Sequence, residues 1–464
     1  MFYLCRPVLI DEDGDEDDPG RILQGGEWDR ERWWYKIAQV CRRWRYLILG
    51  SASHLGLCLV CTYGTPVADM LAYSRPLPLI IDYVDKHHDI TAEDEESIIL
   101  ALRHRERVRR IRLLMPVPNL QKLVAAIDKE FLALDYLYIG PPTKHNTILS
   151  LPKTFRAPYL RHLILINMTF PIGGSLLTSA ADLVTLSLQL IHPSAYFPLN
   201  HLLQRLSSMP QLEVFGGTFH SPLTKRAIGR HLTHTSIMTH VSLPNLRWFT
   251  FGGETAYLEA LLPRIRAPLI EKFQIFLVNE LTLSIPHLLQ FMSDKENLKF
   301  GSAWLAFHED GFSVWLYPYE GARMYSFYLE IGGRHLDWQV ASAAQIFYAL
   351  RTLVSTVVFL TLAYGRHHMS SEWHNEADRA EWHKILQSFC NVKTLVVRRG
   401  LIKAFSRSLL VYDEDPPAEL LLPELNELLY SAGDGAADGW AEEALTPFIN
   451  ARQNAGRPVA LIGR

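Results

Sequence analysis

A-P-Y-L-R-H-L-I-L-I, at residues 157–166, is the phrase on which the reading of this chain turns. A proline-containing lead is followed by L-x-x-L-x-L, so that Leu163 and Leu165 can fill one side of a layer while alternate residues face the other. The phrase recurs. Runs of the same kind stand at 108–113 (V-R-R-I-R-L), 134–139 (L-D-Y-L-Y-I), 183–188 (L-V-T-L-S-L), 212–215 (L-E-V-F), 246–251 (L-R-W-F-T-F), 270–275 (I-E-K-F-Q-I), 392–397 (V-K-T-L-V-V) and 425–429 (L-N-E-L-L). Met209-Pro210, Leu243-Pro244, Ala267-Pro268 and Leu422-Pro423 repeat the lead.

Neighbouring copies mostly lie about 23 to 34 residues apart, the spacing of leucine-rich repeats with irregular insertions. The expected fold class is α/β: a degenerate leucine-rich-repeat-like solenoid whose strands stack into one parallel sheet, curved and elongated. An ordinary α/β domain with parallel strands is the competing reading, and repetition of the lead-and-strand phrase favours the solenoid. Arg75-Pro76-Leu77-Pro78 breaks the chain before the strand-like Leu79-Ile80-Ile81, and V-V-F-L-T-L at 357–362 resumes the series late in the chain. Between Phe300 and Gly333 the texture changes, with Trp304, Trp315, Tyr317, Tyr325 and Tyr328 in alternating runs broken by Gly311 and Pro318. This predicts an aromatic β insertion of two or more antiparallel strands near 300–333, packed as a sheet, whose exposed members would anchor a partner. Trp338-Gln339-Val340 leads into a predicted helix over 341–353.

The 464 residues, 48% hydrophobic, are ample for a large core, and a formal net charge of -3 offers no global attraction to nucleic acid or anionic membrane. Five scattered cysteines make neither a disulfide framework nor a zinc pattern, which points to a reducing compartment, cytoplasmic or nuclear. No apolar run approaches the roughly 18 residues of a membrane span, and the first ten residues lack a signal-peptide cleavage site. No cofactor motif is present: no G-x-S-x-G, no Walker A, no kinase signature. The His367, His368, Glu372, His374 and His383 set has no metal-ligand spacing and reads as a polar loop. His87-His88-Asp89 before Glu93-Asp94-Glu95-Glu96 reads as a charged helix start, the acidic run 11–18 as a solvated loop, the basic run 103–112 as a solvated face, and Gly433–Gly439 as an interruption between repeats. Asn167-Met168-Thr169 matches a glycosylation sequon of the kind that arises by chance. Nothing supports catalysis, and no catalytic or metal residue is assigned.

Ahead of the repeats, Ile37, Val40, Cys41, Trp44, Leu47 and Ile48 recur at helical spacing in W-W-Y-K-I-A-Q-V-C-R-R-W-R-Y-L-I-L-G, residues 33–50. One amphipathic helix is expected, with Asp29 as its candidate N-cap and Gly50 as its stop, and with Trp44 buried. V-C-R-R-W-R, followed by G-S-A-S-H-L-G-L-C-L-V-C, resembles the last helix of an F-box running into the repeat body of fungal F-box proteins. D-W-Q-V at 337–340 and A-R-Q-N-A-G-R-P-V at 451–459 resemble the same family. The family's opening L-P-x-E-L-L is not found, the chain starting Met1-Phe2-Tyr3-Leu4-Cys5, so the expectation is a partial F-box-like helical segment over 1–59 and a repeat array over 60–464. The resemblance implies docking on the adaptor of a cullin-RING (SCF-type) ubiquitin ligase through Ile37, Val40, Cys41, Trp44 and Leu47, while the repeats hold an unidentified target protein. The alternative is a stand-alone scaffold or an inactive family member that no longer binds the adaptor.

Overall fold

A computed structural model describes residues 33–73, 76–84, 90–142, 149–169, 174–191, 198–219, 240–277, 285–295, 298–308, 311–322, 324–332, 336–364, 379–398, 401–409, 421–431 and 439–463. The candidate cap Asp29, the acidic run 11–18, the residues before it, His87-His88-Asp89, the histidines at 367, 368 and 374, and 433–438 fall outside these. The chain divides into two compact units, the first ending near Ser221 with a return over 229–246 and 264–267, the second carrying most of 247–464.

In the first unit, β1 (Leu59–Cys61), β2 (Leu79–Tyr83), β3 (Val108–Leu114), β4 (Tyr136–Gly140), β5 (His162–Ile166), β6 (Thr185–Ile191) and β7 (Val214–Phe219) pair in chain order, and every pairing is parallel. Short parallel pairs join Leu149–Ser150 to Met168–Thr169 and Val241–Ser242 to Ile265–Arg266. One rung runs Ile111, Leu137, Leu163, Leu186, Phe215 across five neighbouring strands, and all five side chains are buried. Each such side chain stabilises the fold by roughly 1.5–3 kcal/mol relative to exposure. Helices Ala92–Arg103, Val117–Ala126 and Leu199–Ser207 return the chain, each burying a stripe such as Leu120, Leu123 and Val124. The charged run 93–96 does open a helix: Asp94 N–H donates to Thr91 Oγ1 (3.1 Å), and Thr91 N–H donates back to Asp94 Oδ2 (3.1 Å).

The repeated phrase has a definite local structure, and the strands begin two residues later than the quoted runs from 134–139 onward. Leu160, Leu212, Leu246 and Leu425 each donate N–H to the carbonyl three residues back, at Ala157, Met209, Leu243 and Leu422. Each of these four leads is therefore a four-residue turn with proline at its second position, where a fixed φ fits. The leading leucine ends the turn and drops into the core. The next residue passes the chain on: Asp135 C=O accepts from both Arg161 N (2.9 Å) and His162 N (3.0 Å), Arg161 C=O from Val184 and Thr185, and Val184 C=O from Glu213 and Val214. A carbonyl has two lone pairs, and this geometry uses both.

The second unit uses the same device, with Arg247 accepting from Glu271 and Lys272, and Lys393 from Asn426 and Glu427. Its strands are β8 (Trp248–Gly253), β9 (Lys272–Leu277), β10 (Ser302–His308), β11 (Gly311–Tyr317), β12 (Phe327–Gly332), β13 (Phe359–Tyr364), β14 (Thr394–Arg398), β15 (Glu427–Ser431) and β16 (Ala460–Gly463). They lie in the order β8-β9-β12-β11-β10-β13-β14-β15-β16. The aromatic stretch is the expected antiparallel insertion: β10, β11 and β12 form a meander whose outer strands join β13 and β9 in parallel. The core face carries stacked rings, Phe249 on Phe273 (4.9 Å) and Phe273 on Phe327 (6.4 Å), with Trp382 buried against Phe307 and Phe405. The helix expected over 341–353 spans Leu336–Val354 and includes Trp338-Gln339-Val340, with Gln339 Nε2 donating to His308 C=O (2.7 Å). The final motif is also structural: Arg452 is buried and donates to Leu425 C=O (3.1 Å), and Gly456 ends the helix at φ +72°.

Candidate functional site

The helical segment ahead of the strands is not one helix. It breaks at Cys41 (φ -160°, ψ 167°), giving Trp33–Val40 and Arg42–Gly50. In a continuous helix Trp34, Ala38, Cys41, Arg45 and Ile48 would share a face, and Arg45 would sit in the seam between two buried residues. The break swings it out: Arg45 Nε donates to Ala38 C=O (3.0 Å), closing the first helix, and Cys41 Sγ caps the second by accepting from Trp44 N–H (3.5 Å).

This changes which face is inward. Trp34, Ala38 and Ile48 are the buried residues, and Trp34 Nε1 donates to Cys58 C=O (3.3 Å) just before β1. Of the residues expected to bind an adaptor, Val40 (64% exposed), Leu47 (45%) and Cys41 face outward, while Ile37 and Trp44 are half-buried. Trp44 is therefore not the buried anchor that helical spacing predicts; Trp34 is. With Tyr46 (71% exposed), Val40 and Leu47 are large exposed apolar side chains on a segment otherwise rich in arginine.

A second surface lies in the second unit. Phe273 packs on Phe291 of the helix Pro286–Ser293, so Lys272, Gln274 and Phe276 point to the other face of the sheet. Registers extend that face through Tyr328, Trp315 and Trp304, neighbours on β12, β11 and β10. Their rings touch in series: Phe276–Tyr328 5.3 Å, Tyr328–Trp315 5.2 Å, Trp315–Trp304 6.1 Å, the two Trp315 pairs tilted by 50° and 58°. Arg398 lies 5.0 Å from the Trp304 ring at one end of the series. Beside the other end, the Lys272 ammonium sits between Trp248 (4.2 Å) and Tyr325 (4.5 Å), a cation held by two aromatic faces. Gln274 bridges Thr250 Oγ1 (2.9 Å) and the Tyr325 hydroxyl. Burial and the Glu330 carboxylate push the Tyr328 phenol above its usual range, so it donates to Glu330 Oε2 (2.5 Å) as a neutral group. Trp304, Trp315 and Tyr328 are half-buried, and Glu330 and Arg398 are exposed. Sequence reading found the aromatics but missed the two cations; their signal was the two-residue alternation that sets Lys272 opposite the buried Phe273 and Arg398 opposite the buried Val397.

The basic run departs from its expected role as a solvated face at one basic residue, Arg112. Arg112 stands in register with Asp82 and pairs with it (3.3 Å), both buried, while Arg109 reaches Asp135 (2.6 Å). Arg112 lies on the face opposite Ile111 and Leu113, in register with Asp82, whereas Arg109 stands where the β2–β3 register shifts and stays exposed. Asn167, the sequon residue, is buried at φ +48°. Among the described residues there is no cluster of metal-ligating side chains and no helix long and apolar enough to cross a membrane.

No family model matches the chain, and no curated protein matches it. Among solved structures, it is similar to the leucine-rich repeat-containing protein LegL7 from Legionella pneumophila, at 10% identity and a TM-score of 0.26, over 84% of this chain and 97% of that one.

Proposed function

We propose that this chain is a non-catalytic protein-interaction scaffold of leucine-rich-repeat type, and that it serves as a substrate receptor of a cullin-RING ubiquitin ligase. The adaptor docks on Val40, Cys41 and Leu47, flanked by Ile37 and Trp44, and the repeat sheets hold the target. The observation that carries this reading is the exposure of two apolar side chains: Val40 and Leu47 face outward on a segment whose own packing uses Trp34 and Ile48. Burying such side chains against a partner is the ordinary source of interface affinity.

A second reading has its own support. Trp34 ties the helical segment to the chain just before β1, as a cap on the open end of a repeat array would be tied. The same segment then belongs to a stand-alone scaffold or an inactive F-box family member. Co-expression with the adaptor separates the two. Stoichiometric co-purification that is lost in Val40→Asp and Leu47→Asp, with the melting temperature unchanged, supports the receptor; absence of co-purification, also when an L-P-x-E-L-L segment is fused ahead of Met1, supports the scaffold.

A further inference from the structure

The outward aromatic series of the second unit is built for a particular kind of chain. Trp304, Trp315 and Tyr328 occupy one row across three hydrogen-bonded strands, so the two outer rings are set two strand spacings apart, about 9.6 Å. An extended polyproline II peptide advances about 9.3 Å for every three residues. Side chains at i and i+3 of such a peptide therefore meet Trp304 and Tyr328 in step, with Trp315 beneath the residues between them.

Other extended ligands fit less well. A flat sugar chain or a run of stacked bases asks for coplanar platforms, and neighbouring rings here are tilted by 58° and 50°. A polyanion asks for a basic groove, whereas the exposed charges here are of both signs, Glu330 beside Tyr328 and Arg398 over Trp304. Lys272 is buried between its two rings. Arg398 and Glu330 stand on strands four spacings, about 19 Å, apart, and the Arg398 guanidinium reaches back to the Trp304 ring, so the charge arrangement selects a peptide with a basic residue at the Glu330 end and an acidic residue at the Arg398 end.

We propose that this face binds a proline-rich peptide segment of a partner protein, prolines three residues apart stacking on Trp304 and Tyr328 and opposite end charges pairing with Arg398 and Glu330. This rests on the protein-interaction reading and names the partner class for it. The full chain is titrated with a fluorescent peptide carrying prolines at every third position, one glutamate end and one arginine end, made in both chain directions. Saturable binding is expected in one direction, weakened about tenfold or more when the prolines become alanine. Trp304→Ala should weaken it to a similar degree. Arg398→Glu, at an exposed site, should abolish the preference for the glutamate-ended peptide and restore binding when that glutamate is replaced by lysine. Equal binding of the proline and alanine peptides, or no response to Arg398→Glu, overturns the proposal. So does preferred binding of a cello-oligosaccharide or an oligothymidylate to the same face. Adaptor co-purification that persists while the peptide fails confines the failure to this proposal; loss of both removes the interaction reading as well.

Discussion

The two units are built from one turn-and-strand phrase and spend their sheet faces differently. In the first, strands follow one another in chain order and the face away from the helices is closed by its own contacts. Leu114, Tyr136, Tyr138 and Ile164 form a small cluster there, and Asp82 and Arg112 neutralise each other. In the second, a meander interrupts the parallel order, and the corresponding face shows half-buried rings edged by exposed charge. The same core logic thus leaves one face finished and the other open. A repeat scaffold gains specificity where its outward positions depart from self-satisfaction.

The sharpest way to break this comparison is to unbalance the finished face. Asp82→Ala should cost about 3–5 kcal/mol by leaving the Arg112 guanidinium buried without its carboxylate, read as a fall in denaturation midpoint. Asp82→Leu combined with Arg112→Met should recover most of that loss. If the single variant is neutral, the pair is not what closes the face.

The open face should answer more mildly. Lys272→Met keeps the stem between Trp248 and Tyr325 but removes the charge, and should cost about 0.5–2 kcal/mol. A loss as large as that of Asp82→Ala would mean that the aromatic face is also structural.

Much of this was legible in the sequence, for physical reasons that differ by region. The L-x-x-L-x-L runs located the strands because two-residue alternation survives in any sheet, and the proline leads marked turns because proline fixes φ where those turns need it. They placed the strand starts two residues early, since a buried leucine ending a turn looks the same in sequence as a buried leucine in a strand. The aromatic insertion was legible as antiparallel; its position between β9 and β13 was not, since strand order depends on partners far along the chain. The helical segment misled through its periodicity. Ile37, Val40, Trp44 and Leu47 satisfy a single-helix pattern, and the break at Cys41, held by the Arg45 bond to Ala38 C=O and the Cys41 cap, interrupts it where no local pattern announces it. Arg112 was missed because pairing with Asp82 is set by register, which no local pattern records.

The smallest expected effect concerns pH. His162 lies beside Tyr136, with Nδ1 3.1 Å from Thr185 Oγ1; burial first, then the Arg161 charge, hold its imidazole below the usual histidine range. A base whose folded pKa is depressed contributes stability above its unfolded pKa, and that contribution fades as pH falls through about 6.5 and below. Melting temperature should drop on acidification in that window, and His162→Asn should flatten part of the drop. A drop of the same size in the variant would assign it to other groups.

The most direct test of the functional account is amide hydrogen exchange of the full chain with and without the ligase adaptor. The account predicts new protection over 37–47, spanning the break at Cys41 and the outward Val40 and Leu47, with the strands of both units unchanged. Unaltered exchange over 37–47 at saturating adaptor, or protection confined to the sheet faces, would contradict it.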